Sequence, residues 1–169
     1  MHSMPVPTEA QSHSDRELLR HTLATLAYRA GKAFRDAPEG FAEFRSGEKT
    51  RTPGQILAHL GDLLDWGLSL AKGAQEWHNS PALRWGDGVA RFFTALRALD
   101  DFLASDAPLE TPAGQLFQGP VADAFTHVGQ ISMLRRLAGS PVRAENYLRA
   151  DIRVGRVGLE QSAPKREFE

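Results

Sequence analysis

The chain has 169 residues, 20 basic and 21 acidic side chains, no cysteine and 41% apolar content, the size and make-up of one globular domain with one core. Near-neutral charge, with Lys and Arg spread along the chain, gives no support to nucleic-acid binding, and no run approaches the ~18 apolar residues of a membrane span. The missing cysteines exclude disulfides, a thiolate nucleophile and cysteine-ligated zinc, and they fit a cytoplasmic protein.

Residues 1–14 lack an apolar h-region and read as a loose polar leader. Ser14-Asp15-Arg16-Glu17 has capping-box spacing and predicts the start of a helix running through Leu19, Leu23, Leu26 and Ala30 to about Arg35. Pro38, Gly40 and Gly47 make residues 36–51 a loop, from which Phe41 and Phe44 can pack onto the body. Thr52-Pro53-Gly54-Gln55 combines an N-cap, a proline at the first helical position and a capping-box glutamine. It opens a second helix carrying Ile56, Leu60, Leu63, Leu64 and Leu70, which ends near Gly73.

A polar linker, residues 75–81, precedes a third helix with its seam at Trp85, Val89, Phe92, Leu96, Leu99 and Leu103. Residues 104–119, rich in proline and glycine, are long enough to cross the end of a bundle. The fourth helix is expected from about Pro120 to the stop at Gly139-Ser140-Pro141. In the tail, 140–169, Tyr147, Leu148, Ile152 and Val154 are expected to tie part of the chain to the body, with a mobile end from Gln161. No stretch reads as a strand. Four helices of about 20 residues, each with an apolar stripe, predict an all-α four-helix bundle over 15–139, with a long crossover loop and a C-terminal tail.

The chemistry concentrates on the fourth helix. Asp123 and His127 stack one turn apart, and Leu134 and Leu137 fall in the same arc, which predicts a core-facing stripe. Rotating the helix otherwise would turn Ser132, Arg135 and Arg136 inward, the less favourable arrangement. His59, in line with Leu63, Trp66 and Leu70, sits on the flank of the second helix and is directed toward the interior. By itself it reads as a core histidine bonded to a carbonyl or an acid. With Asp123 and His127 it offers either a metal site or a metal-free network in which a protonated imidazole satisfies the carboxylate.

Two imidazoles and one carboxylate leave coordination positions open and suit zinc, nickel or the iron(II) facial triad. Gln130, one turn beyond His127, is placed to bond a ligand or a metal-bound water. Asp62, one turn from His59, is either a supporting partner of the site or a solvated surface charge. His2, His13 and His21 read as solvated, and so does the series Arg149, Arg153 and Arg156. His78 lies beside Trp77 in the linker, where a pocket-rim role is the less favoured reading, and Trp66 and Trp85 read as packing. Val121, Phe125 and Val128 line the opposite side of the fourth helix, so the crossover loop, the tail or a second subunit must cover them; a dimer contact is the preferred reading.

The run Ile56-Leu57-Ala58-His59-Leu60, followed far downstream by Asp123, His127, Gly129 and Gln130, resembles the DinB-like (DinB/YfiT) superfamily. Its members carry a histidine on the second helix and His-x-x-x-His-x-Gly-Gln on the last. The likeness covers residues 15–139. His127, Gly129 and Gln130 match the pattern, while Asp123 stands where it has its first histidine. The resemblance implies an often homodimeric bundle with a divalent metal, typically zinc or nickel, in a pocket at one end. Characterised members include thiol transferases using bacillithiol or mycothiol and a mycothiol-dependent maleylpyruvate isomerase. The expected function is therefore a metal-dependent transferase acting with a low-molecular-weight thiol, its metal held by His59, Asp123 and His127. The alternatives are a non-enzymatic, stress-associated bundle whose site is structural or vestigial and, third, an iron(II) oxygenase.

Overall fold

The computed structural model describes residues 9–168; His2 and the leader up to residue 8 lie outside them. Four long helices, α1 (Glu9–Phe34), α2 (Pro53–Ala71), α3 (Trp85–Ala104) and α5 (Ala122–Leu137), surround one hydrophobic core. A single turn, α4 (Ala113–Leu116), and a π-helical turn (Phe117–Val121) lead directly into α5. Among the described residues the only extended pairing is an isolated bridge between Glu145 and Glu167, and no helix is long and apolar enough to cross a membrane.

Local chemistry explains where α2 begins and ends. Thr52 Oγ1 accepts from the Gln55 amide at 3.2 Å while Gln55 Oε1 accepts from the Thr52 amide at 2.9 Å, with Pro53 in the first helical position. This reciprocal cap satisfies two of the donors that a helix start leaves unpaired. At the other end Gly73 (φ 74°) turns left-handed, as Gly139 (φ 76°) does after α5. Between these limits Leu57, Leu60 and Leu64 are fully buried. The aromatic residues Phe34, Phe41, Trp85, Phe92 and Phe93 fill one end of the core through edge-to-face contacts.

Two helix starts differ from expectation. α1 begins at Glu9, upstream of the capping-box spacing at Ser14, which lies exposed within the helix. The guanidinium of Arg16 donates to the carbonyls of Leu103, Ser105 and Ala107 at the end of α3, so the first turns of α1 have tertiary support. The fourth helical segment starts at Ala113 rather than Pro120, and Pro120 sits inside it. A proline has no amide to donate and crowds the preceding turn; here the backbone widens into the π turn. Pro120 is buried so close to α2 that a Cβ at Gly67 would lie 3.3 Å from its Cγ.

α5 is also rotated away from the expected orientation. Val121, Ala124, Val128 and Ile131 are buried in the core, whereas Gln130 and Leu137 are exposed and Asp123 keeps 48% of its side-chain surface. Arg135, only 5% exposed, points inward. Its Nη1 donates to the carbonyls of Ala33 (3.1 Å) and Arg35 (2.7 Å), its Nη2 to Asp36 (3.1 Å), and its Nε to Ser140 (2.9 Å). A helix C-terminus leaves its last carbonyls without partners and carries partial negative charge, so a guanidinium there is well placed. The inward arginine that periodicity disfavours is thus the cap of α1. Val121 and Val128 are covered by the chain's own core, which removes the expected need for a second subunit at those positions.

Of the expected tail anchors, Tyr147 meets the Tyr28 ring edge to face at 6.2 Å and Ile152 packs on the core, while Leu148 and Val154 do not. Val157 is fully buried and Ile152 half-buried, whereas Leu148 is 94% exposed and Val154 is exposed too. Glu145, buried, accepts from Tyr28 Oη at 2.7 Å and Lys32 Nζ at 2.8 Å. Beyond Gln161 the strand-like end is fastened by Lys32–Glu167 (2.7 Å) and by Phe168 N to Ala144 O (2.9 Å).

Arg135→Ala would leave the buried carbonyl of Ala33 and the part-buried carbonyls of Arg35, Asp36 and Ser140 without this donor and is expected to destabilise the fold by about 2 kcal/mol. Arg136→Ala, at the exposed neighbouring position, should change it by less than about 0.5 kcal/mol. Chemical denaturation followed by circular dichroism checks both.

Candidate metal centre

His59, from the middle of α2, meets Asp123 and His127 from the first turns of α5. One ligand atom from each side chain can be chosen so that all three lie within 4.8 Å of one another. Asp123 bridges the two rings: Oδ1 is 3.5 Å from His127 Nε2 and Oδ2 is 3.8 Å from His59 Nε2. Both separations exceed hydrogen-bond length. They are close to the roughly 3.4 Å edge of a tetrahedral site with bonds of about 2.1 Å. The half-exposed Asp123 carboxylate has room to make the remaining adjustment. The two imidazoles meet edge to face, with ring centroids 4.7 Å apart.

Each ring has a reason to present a lone pair. Burial, the neighbouring His127 and the positive charge of Arg51 push the His59 pKa below its usual 6.5, against an opposing pull from Asp123 and Asp62. His59 is therefore neutral at pH 7. On His127, Nδ1 lies 2.7 Å from Gln130 Oε1. With Nδ1–H donating there, Nε2 is left unprotonated and aimed at Asp123, the arrangement a metal-binding histidine needs. Gln130 thus bonds the ring of His127 itself, where sequence spacing pointed to a ligand or a water.

Asp62 is not a solvated charge and makes no direct hydrogen bond to His59; it supports the site through the linker. It is buried, and it accepts from the Ser80 amide (2.9 Å), the Ser80 hydroxyl (2.7 Å) and Arg91 Nη2 (2.7 Å). Arg91 also donates to Ala58 O (3.0 Å) and Asp65 (2.9 Å), lying across Gly61 where a Cβ would overlap it. These bonds pin the linker after α2. That linker lays Trp77 edge-on to His59, with centroids 5.6 Å apart, and against Trp66 at 5.8 Å. Burial of Asp65 raises its carboxyl pKa despite Arg91. His13, His21 and His78 are exposed and outside the cluster. Arg153 and Arg156 both pair with Asp151.

His127 and Gln130 also line a groove of about 500 Å³. Ile56, Met133, Leu134 and Leu137 give it apolar walls, while Arg51, Thr50 and Ser46 from the loop before α2 add polar groups beside His127 and Gln130. Arg51 and Trp77, which periodicity and spacing do not single out, both border the site. The signal for Arg51 was its place next to the Thr52 cap, which fixes where the loop reaches α2. Trp77 lies in a stretch without periodicity, and bonds of the linker back to α2, Glu76 to Ser69 and Ser80 to Asp62, place it.

In an NMR titration of metal-free protein, His59 should titrate below 6.5, Asp123→Asn should lower its midpoint further, and Arg51→Ala should raise it. Because the folded pKa lies below the unfolded one, the unfolded chain takes up the proton first. His59 therefore costs stability as pH falls from about 6.5 through its folded pKa, and nothing above that range. A midpoint at or above 6.5 would contradict the described environment.

In comparisons with known proteins, no family model, no curated protein and no solved structure matches this chain.

Proposed function

We propose that His59, Asp123 and His127 bind one divalent metal ion, zinc or nickel foremost, and that the chain is a DinB-like metal-dependent transferase acting with a low-molecular-weight thiol. The observation that carries the metal reading is the convergence of one ligand atom from each side chain to within 4.8 Å, with the two Asp123 oxygens 3.5 and 3.8 Å from the histidine nitrogens, longer than hydrogen bonds. All three come from one chain. A bound ion with open positions supplies Lewis-acid stabilisation of a thiolate or hydroxide near neutral pH. Gln130 holds the tautomer of His127, and Trp77 with Trp66 shields the His59 side from solvent. The groove supports a small-molecule substrate, its apolar walls packing an organic body and Arg51 favouring an anionic group.

The ligand set itself also matches the iron(II) facial triad, which keeps an oxygenase as a second reading. Elemental analysis of tag-free protein after dialysis against zinc, nickel or iron(II) should find one equivalent per chain. His127→Ala should weaken binding at least about 100-fold, and Gln130→Ala, which removes only the supporting bond, about 10–100-fold. Absence of stoichiometric metal overturns the proposal. With zinc or nickel bound, consumption of a small thiol in the presence of an alkylating electrophile, lost in His127→Ala, supports the transferase. Metal without turnover identifies a non-enzymatic binding bundle, and oxygen consumption with iron identifies the oxygenase.

A further inference from the structure

The two histidines of the centre differ in what holds their rings. His127 is bonded through Nδ1 to Gln130 at 2.7 Å. The ring of His59 has no hydrogen-bond partner among the described residues, since Asp123 Oδ2, at 3.8 Å, stands beyond bonding length. The terminal torsion of a histidine has broad wells, so the helix alone leaves the plane of that ring loosely set. Two other rings meet it. His127 lies at an interplanar angle of 88° with centroids 4.7 Å apart, and Trp77 at 65° with centroids 5.6 Å apart.

Trp77 belongs to no helix, yet it is fixed from both sides. Before it, the Glu76 amide donates to Ser69 Oγ at 3.0 Å. After it, the amide and hydroxyl of Ser80 donate to buried Asp62 at 2.9 and 2.7 Å, and Arg91 bonds the same carboxylate. Asp62 and Ser69 both belong to α2, so residues 76–80 form a strap over about two turns of that helix. Within the strap the indole Nε1 donates to Asn79 at 3.1 Å, and the indole packs edge-on to Trp66 with centroids 5.8 Å apart. Edge-to-face ring pairs have a preferred geometry, so an indole held in this way restrains the imidazole it meets. We propose that Trp77 is a positioning residue for His59: the strap holds its indole against the imidazole and keeps that ring in the plane that aims Nε2 at Asp123. Trp77 thus does by packing what Gln130 does for His127 by a hydrogen bond. Its value for metal binding rests on the three-residue metal reading, whereas the positioning itself does not.

NMR of the metal-free protein and zinc affinity, measured by competition with a chromophoric chelator, test this together. In wild type the His59 ring protons should show NOEs to the rings of Trp77 and His127. Trp77→Ala should weaken the NOEs between His59 and His127 and lower zinc affinity about 10-fold. Trp77→Phe, which keeps an aromatic edge, should restore both, with an affinity within about 3-fold of wild type. Leu83→Ala truncates another exposed apolar side chain of the same linker and should change neither readout. Ser69→Ala combined with Ser80→Ala leaves Trp77 in place but loosens both anchors, and should lower zinc affinity by less than Trp77→Ala does. Missing NOEs between His59 and Trp77, unchanged His59–His127 NOEs in Trp77→Ala, or an equal loss of affinity in Leu83→Ala or Trp77→Phe would each overturn the proposal. A wild-type chain that binds no zinc overturns the metal reading instead, and the NOEs of the metal-free protein then decide the positioning of His59 by themselves.

Discussion

Arg135 ties the C-terminal end of α5 to the C-terminal end of α1 by donating to the carbonyls of Ala33, Arg35 and Asp36 and to Ser140 beyond its own helix. An arginine fork satisfies that many acceptors in one geometry only, so the bond set fixes how α5 is rolled about its axis. At the other end Pro120, buried against Gly67, sets how closely α5 approaches α2. With roll and distance both determined, Asp123 and His127 land on the flank of α5 that faces His59. The candidate centre is thus a consequence of where a buried guanidinium and a buried proline hold one helix.

A second set of charges works in the same way on the other side of the site. Asp62 and Arg91 are buried or half-buried and joined to Ser80, which brings the linker back over α2 and sets Trp77 on the ring of His59. The resulting surroundings, apolar on one side and carrying the Arg51 charge on the other, keep His59 neutral. A neutral imidazole is the form that binds a cation, so the polar framework that keeps His59 neutral suits a metal ligand.

The α2 cap was legible in Thr52-Pro53-Gly54-Gln55 because its bonds are local, and the α3 seam because its period is regular. The three candidate ligands were legible because each sits at a helical spacing beside apolar neighbours. The roll of α5 was not. Periodicity treats an inward arginine as a penalty, and only the unpaired carbonyls of a helix about 100 residues away reverse that sign. The early start of α1 was hidden for a related reason, since its support comes from Arg16 reaching the end of α3. Trp77 and Asp62 also took their roles from contacts distant in sequence, so neither the linker nor the acid carried a local signal.

Whether His59, Asp123 and His127 act together on one ion is decided by anomalous X-ray diffraction from crystals grown with one equivalent of zinc or nickel. A single strong peak is expected at the metal absorption edge, about 2.0–2.2 Å from a nitrogen of each histidine and an oxygen of Asp123. Its remaining coordination positions should face the groove beside Arg51. A map with no peak there, and with Asp123 drawn in to hydrogen-bond distance of either histidine, would contradict a shared ion.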